Sequence, residues 1–162
     1  MYTQKKLLIN HLTKVKSKAE LLQVKIAIEN HGDLNSDELI SVVQKVNSPN
    51  IGICLDLGNS MFTFEDPLIA AEKMAPYAFT THFKDYAVIM TNYGLKVKGA
   101  ALGEGNIDLV KALKILKQNT ELDKIILEIP VEAGSNEAFA LQNENEIIQR
   151  SVGYARNVLN IR

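Results

Sequence analysis

Four short apolar runs in this sequence each end in a side chain that can bind a metal ion. The runs have the sequences KIAIEN at 25–30, IGICLDLGN at 51–59, AFTTHFKD at 78–85 and KIILEIP at 124–130, and they supply Glu29, Asp56, His82 and Glu128. Three carboxylates and one imidazole suit a hard or borderline divalent ion such as Mn²⁺, Mg²⁺, Co²⁺ or Zn²⁺. Carboxylates crowded together without a cation would raise one another's pKa by repulsion. The residue types therefore indicate a site for one divalent ion if the fold makes them converge.

The four runs are predicted to be parallel strands, at 24–29, 51–56, 78–84 and 124–129. Apolar runs of about four to eight residues with polar or glycine boundaries are typical of buried parallel strands. Side chains alternate between the two faces of a strand. Counted back from each metal-type residue, one face carries smaller side chains such as Cys54, and the other carries bulky ones such as Ile53, Phe79 and Phe83. The bulky face is expected to pack against covering helices.

Parallel strands bring their carboxyl ends to one edge of a sheet or one mouth of a βα-barrel, which is where the chemistry of such folds occurs. The four metal-type residues are therefore expected to meet there. An ordinary polar cap where a strand becomes a loop is the alternative for any one of them. The same register in four successive strands favours a shared site.

Helical patterns separate the predicted strands and set their spacing. Apolar residues recur with helical periodicity at 3–22, after Asn35 or Ser36, after Pro67, and at 144–159. The intervals from Glu29 to Asp56 (27 residues) and from Asp56 to His82 (26 residues) each match one strand–helix unit. The longer interval from His82 to Glu128 (46 residues) fits one unit plus a β-hairpin near 87–102.

Three further residues near the same predicted edge are candidates for contact with a substrate. His31 lies two residues past Glu29, and loop hydrogen bonding is its alternative. Lys84 returns to the inner face one step beyond His82, so it is placed to hold a substrate oxygen or one of the carboxylates. A solvated lysine at the rim is the alternative for Lys84. Asp85 follows at the end of the same strand.

Two loops are also expected near this edge. The segment LGEGNID at 102–108 precedes a predicted helix that ends near Gln118, with Asn106 as its cap. Helix N-termini attract anions, so this loop is a candidate for binding phosphate, with a simple tight turn as the alternative. The longer loop at 130–142 is expected to form part of a lid.

Composition excludes several classes of function. A length of 162 residues predicts a single domain over 1–162, and a net charge of −1 gives no basic field for nucleic acid. No apolar run approaches the roughly 20 residues of a membrane span, and the N-terminus has no signal-peptide pattern. The single cysteine, Cys54, excludes an internal disulfide and is interpreted as a small buried side chain. These features predict a cytoplasmic protein without a nucleic-acid or membrane partner.

The motifs IENHGD, DLGN, THFKD, ALGEGNID and LEIP, in this order, resemble the xylose isomerase-like TIM-barrel superfamily. The greatest resemblance is to its sugar phosphate isomerase and epimerase group, and it extends from about Lys25 to the C-terminal helix. It implies an α/β fold: a partial (β/α) barrel with about four parallel strands, the equivalents of strands five to eight. In that family a Glu, Asp, His, Glu quartet binds one divalent metal, and here it falls on Glu29, Asp56, His82 and Glu128.

The resemblance also implies a reaction and a substrate class. In the epimerases of the group, the two metal-binding glutamates exchange the substrate proton through a cis-enediolate, which assigns catalysis here to Glu29 and Glu128. The substrate would be a sugar or sugar phosphate. Asn59 stands where many epimerases have a histidine, and it joins His31, Lys84 and Asp85 as an expected substrate contact. The zinc-dependent endonucleases of the superfamily need more histidines than the three present, so that function is disfavoured.

The length of the chain departs from the family pattern. A complete barrel has eight strands and roughly 250 residues, and this chain has material for strands five to eight only. Half a barrel would leave two open edges and an exposed inner face. A homodimer, or completion by another chain, is therefore expected. The alternative to an enzyme is a catalytically incomplete half-barrel that binds metal or carbohydrate, or a structural partner of a second chain.

Overall fold

The structure is a computed structural model that describes residues 2–131 and 136–161. Helices and strands follow one another in the order α1 Tyr2–Leu21, β1 Ile26–Glu29, α2 Ser36–Val46, β2 Ile51–Asp56, α3 Pro67–Met74, β3 Ala78–Phe83, β4 Asp85–Thr91, β5 Gly94–Ala100, α4 Leu109–Asn119, β6 Ile126–Leu127 and α5 Glu137–Asn157. Short 3-10 helices span Asn59–Thr63 and Ala75–Tyr77. None of the described helices has both the length and the apolar character needed to cross a bilayer.

Four of the strands form a parallel sheet in the order β1-β2-β3-β6. The other two, β4 and β5, pair as an antiparallel hairpin. The predicted α/β fold, with a four-stranded parallel sheet and a hairpin excursion, is thus confirmed. The register pairs Glu29 with Cys54 and Asp56 with His82, so the carboxyl ends of the strands lie side by side.

The core lies between one face of the sheet and the helices. Ile53, Leu55 and Phe83 are completely buried in a cluster with apolar residues of α2, α3, α4 and α5. A second cluster joins Leu12 of α1 to α2 and to Ile51 of β2. Each such fully buried side chain contributes about 1.5–3 kcal/mol to stability. The bulky face is therefore the helix-covered one, as predicted, with one exception.

The exception is Phe79, which belongs to a β-bulge. Ile53 pairs with Ala78 and Cys54 pairs with Thr80, so Phe79 is an extra residue in β3. Its ring packs against Gly52, where a Cβ atom would lie only 2.7 Å from the ring. Ile51 and Ile53 face the helices, so Gly52 between them faces the other, inner side of the sheet. Phe79 therefore lies on the inner face. The prediction that Phe79 faces the helices is therefore wrong, and the missing side chain of Gly52 explains why the ring fits.

Several predicted boundaries shift for local reasons. The edge strands β1 and β6 are shorter than predicted, since each pairs with a neighbour on one side only. Asp108, and not Asn106, caps α4, because the Asp108 carboxylate accepts the Lys111 N–H. The Asn106 side chain instead accepts the Val88 N–H of the hairpin.

The last helix begins earlier than predicted. Asn136 caps α5 by accepting the Phe139 N–H, so α5 starts at Glu137 rather than at 144. The expected lid loop at 130–142 is therefore wrong for 137–142, which are helical. Residues 132–135, which also belong to that predicted loop, lie outside the described residues.

Candidate metal centre

The ends of the four parallel strands place the four predicted metal-type residues. Glu29 and Asp56 are the last residues of β1 and β2, and His82 is the penultimate residue of β3. Glu128 follows β6, and its N–H donates to the Phe83 carbonyl at 3.1 Å, which continues the strand pairing by one step. Residues more than 20 positions apart along the chain therefore reach one edge of the sheet.

One ligand-type atom from each of these residues lies within 4.8 Å of all the others. His82 is central: its Nδ1 is 2.8 Å from Glu128 Oε2, 3.5 Å from Glu29 Oε1 and 3.6 Å from Asp56 Oδ2. The Asp56 side chain is completely buried, while the other three are partly exposed. The cluster therefore has a closed floor at Asp56 and an open side toward solvent.

Backbone contacts hold Asp56 in place. Its Oδ1 accepts the N–H groups of Gly58 and Asn59 at 2.9 and 3.0 Å, which leaves Oδ2 facing the other three residues. The buried amide side chain of Asn30 also bridges the backbone N–H and carbonyl of Asp56. Asn30 was not among the predicted site residues, and its position directly after Glu29 was the available signal.

Three atoms of the cluster have an unusual environment. Asp56 Oδ2, His82 Nδ1 and Glu128 Oε2 are buried without a hydrogen-bond partner among the described residues. His82 Nδ1 lies 2.8 Å from Glu128 Oε2 and Lys84 Nζ lies 2.6 Å from Asp56 Oδ2, but neither contact is a hydrogen bond. Buried polar atoms are rarely left unpaired in folded proteins. Together with a donor set of three carboxylates and one imidazole, they fit a divalent ion.

Lys84 enters the same cluster from β3. Its Nζ lies 2.6 Å from Asp56 Oδ2 and 3.1 Å from Glu128 Oε2, and its side chain is 4% exposed. Burial acts to lower the pKa of Lys84, but the two carboxylates outweigh it and the pKa is raised. For Asp56, burial has the opposite effect and raises the pKa of the carboxyl group. The close contact with Lys84 and its charge act to lower that pKa, but burial is the larger effect. Of the two predictions for Lys84, contact with carboxylates is the one that the geometry shows, and a solvated rim position is excluded.

Cys54 lies beneath the cluster. Burial and the charges of Glu29 and Asp56 raise the pKa of its thiol to about 12. The thiol therefore stays protonated at neutral pH and is a poor nucleophile. This environment agrees with its interpretation as a buried interior side chain.

The other predicted substrate contacts separate into two groups. Asn59 is buried and its amide donates to Glu29 Oε1 at 3.0 Å, so it belongs to the cluster. His31 is exposed in the loop after β1 and is not one of the four clustered residues. Asp85 is completely buried and faces away from the cluster into the loop before α4. A substrate contact by Asp85 does not fit this burial.

The loop before α4 binds a carboxylate of the chain itself. Asp85 accepts the N–H groups of Gly103, Gly105 and Ile107 at 3.0, 2.9 and 3.2 Å. These are the donors that a bound phosphate would have used. The prediction that the loop binds phosphate is therefore wrong: the Asp85 carboxylate occupies these donors and fixes the start of the hairpin to the loop before α4.

Two aromatic residues that were not predicted as site residues pack beside the loop that follows Asp56. The Tyr86 ring packs against Gly58, and a Cβ atom at that glycine would overlap it. Phe62 meets the Tyr86 ring edge-on, with centroids 5.5 Å apart and planes at 76°. The only sequence signal was an aromatic residue directly after the THFKD motif.

Comparison with known proteins identifies the family. The model of the Xylose isomerase-like TIM barrel family matches residues 3–158. The chain belongs to this family. Among curated proteins, the xylose isomerase-like chain is 27% identical over 128 residues to 3-oxo-isoapionate decarboxylase of Pectobacterium atrosepticum, which covers 76% of this chain and 46% of that protein.

Solved structures of the same fold are similar over most of the xylose isomerase-like chain. The IOLI protein, solved with a binding zinc atom, matches with a TM-score of 0.69 and 22% identity over 95% of this chain and 55% of that one. A D-psicose 3-epimerase solved in the presence of D-fructose matches with a TM-score of 0.70 and 14% identity, over 93% and 55%. These likenesses show the fold. The chain spans about half the length of the decarboxylase, of the IOLI protein and of the epimerase.

Proposed function

We propose that this chain binds one divalent metal ion through Glu29, Asp56, His82 and Glu128. We propose further that it supports isomerisation or epimerisation of a sugar or sugar phosphate by proton transfer. The observation that carries the proposal is the convergence of four ligand-type atoms at the carboxyl edge of the sheet, three of them buried without a hydrogen-bond partner among the described residues. The zinc atom named for the IOLI protein and the sugar named for the D-psicose 3-epimerase support it. A bound ion would polarise the carbonyl and hydroxyl oxygens of the sugar.

The two glutamates are placed on opposite sides of the cluster. Glu29 ends the edge strand β1 and Glu128 follows the other edge strand β6, with β2 and β3 between them. Both side chains are partly exposed, so a substrate can approach each of them. Glu29 would take the proton beside the substrate carbonyl to give an enediolate, and Glu128 would return a proton to the same intermediate. The Asn59 amide orients Glu29 for this step through its hydrogen bond to Oε1.

We expect the chain, loaded with Mn²⁺, to exchange solvent deuterium into a ketose or ketose phosphate, and Glu29→Gln to lower that rate by at least about 100-fold. The glutamine keeps the size of the side chain and removes its basicity. Glu72→Gln, an exposed glutamate of α3, is the matched control and should exchange at the wild-type rate. Exchange that persists in Glu29→Gln would reject its catalytic role.

Two other outcomes of this experiment favour different functions. Metal binding without exchange favours the half-barrel that binds metal or carbohydrate without catalysis. Release of carbon dioxide from a 3-oxo sugar acid favours decarboxylation, the activity named for the Pectobacterium atrosepticum relative. The buried Lys84 ammonium beside the cluster is the feature that suits a carboxylate substrate.

We also propose that the chain corresponds to strands five to eight of the barrel and that a second copy completes it as a homodimer. The outer edges of β1 and β6 pair with no other described strand. Exposed apolar side chains lie beside both edges, including Leu22 and Val24 near β1 and Ile126 in β6. Analytical ultracentrifugation at micromolar concentration is expected to give a dimer. A compact monomer would contradict a homodimer, and association only with another protein would favour completion by a different chain.

A further inference from the structure

Lys84 places a positive charge inside the candidate metal centre. Its ammonium lies 2.6 Å from Asp56 Oδ2 and 3.1 Å from Glu128 Oε2, and both of those residues are candidate metal ligands. The side chain is 4% exposed, and lysines are almost never so deeply buried unless they are paired. The single positive charge of the lysine is therefore shared between two of the carboxylates that a divalent ion would bind.

The neighbouring residues determine where this ammonium points. A Cβ atom at Gly58 would lie 2.8 Å from Lys84 Cγ and would overlap the Tyr86 ring, so the lysine stem runs through space that the glycine leaves open. The stem thus passes Gly58, and Nζ reaches Asp56 Oδ2 beyond it. Nζ also donates a long hydrogen bond to Asn59 Oδ1 at 3.5 Å.

We infer that Lys84 is an internal counter-ion that competes with the metal ion for Asp56 and Glu128 and so sets the metal affinity of the site. This inference rests on the proposed metal binding. An ammonium and a divalent ion a few ångströms apart repel each other strongly in a partly buried site. Before an ion binds, Lys84 limits the repulsion between the carboxylates. When an ion binds, the ammonium has to turn from Asp56 toward Asn59, and this displacement weakens binding.

The inference makes an unusual prediction: removal of a residue from the site should strengthen metal binding. Lys84→Met is expected to bind Mn²⁺ at least about 10-fold more tightly than the wild type in titration calorimetry. Its thermal midpoint in EDTA should be lower, because the carboxylates lose their counter-ion, and the shift of the midpoint on adding Mn²⁺ should be larger. Lys84→Gln removes the same charge and serves if the methionine variant does not fold.

Two further variants separate local charge from other effects. Lys111→Met removes an exposed lysine that pairs with Asp108 at 3.1 Å, so it changes the net charge equally and should leave Mn²⁺ affinity unchanged. Lys84→Arg keeps the positive charge and should bind Mn²⁺ no more tightly than the wild type. Affinity in Lys84→Arg equal to that in Lys84→Met would overturn the inference.

The outcomes distinguish this inference from the proposed function. If the wild type binds Mn²⁺ and both neutral variants bind it equally or more weakly, competition by Lys84 is refuted and the metal site remains. If the wild type binds none and Lys84→Met binds it, the inference is supported in its strongest form. If neither binds Mn²⁺, the proposed metal site is wrong and the inference is overturned with it.

Discussion

Replacing Asp85 with alanine is expected to lower the free energy of unfolding by about 3–5 kcal/mol. Asp85 is completely buried, and its carboxylate accepts three backbone N–H groups from Gly103, Gly105 and Ile107. Without this carboxylate, the three N–H groups lose their hydrogen-bond partner. Gly105 packs so closely against Asp85 that even a Cβ atom at that glycine would overlap the carboxylate. The loop links the hairpin to α4, so the damage should spread to the packing of both.

Urea unfolding of the wild type, Asp85→Ala and Asp85→Asn measures this effect. Asparagine keeps one acceptor oxygen, so its loss should be intermediate. Asp108→Ala is the matched control, because the exposed Asp108 caps α4 through one N–H and its removal should cost about 1 kcal/mol. An Asp85→Ala variant no less stable than Asp108→Ala would contradict the assignment of Asp85 to loop closure.

Replacing His82 with alanine, or Glu128 with glutamine, is expected to weaken Mn²⁺ binding by more than about 100-fold. Residues that only hydrogen-bond to a metal ligand usually change metal affinity by about 10- to 100-fold, and a direct ligand should matter more. His82 Nδ1 lies between all three carboxylates, so no other described side chain replaces its donor atom in the cluster. Glutamine at Glu128 keeps the shape of the side chain but removes the charge that attracts the ion.

Titration calorimetry on the folded variants measures this loss. His11→Ala provides the control, because His11 is an exposed imidazole of α1 outside the cluster and its removal should leave affinity unchanged. Wild-type affinity in both His82→Ala and Glu128→Gln would show that the ion, if any, binds elsewhere.

The site could be predicted from the sequence because strand geometry imposes a simple rule. Side chains alternate along a strand, and parallel strands end at one edge. Glu29, Asp56, His82 and Glu128 each follow an apolar run, so the pattern alone indicated that they would converge. The structure places one ligand-type atom from each within 4.8 Å of the others.

The features that sequence analysis missed depend on tertiary contacts. Phe79 faces inward because it is the extra residue of a bulge in β3, opposite Ile53 and Cys54, and alternation along an isolated strand gives no sign of it. Asp85 was predicted to lie at the carboxyl edge of the sheet because it follows His82 and Lys84. Its carboxylate turns away because a loop some 20 residues later presents three N–H groups to it. Such pairings between distant segments leave no periodic signal in the sequence.

The most direct test of the metal centre is anomalous X-ray scattering from crystals of the wild-type protein grown or soaked with Mn²⁺. We predict one strong anomalous peak per chain within about 2.5 Å of oxygens of Glu29, Asp56 and Glu128 and of a ring nitrogen of His82. Crystals in which this edge of the sheet shows no peak, or in which the ion binds only at other residues, would contradict it.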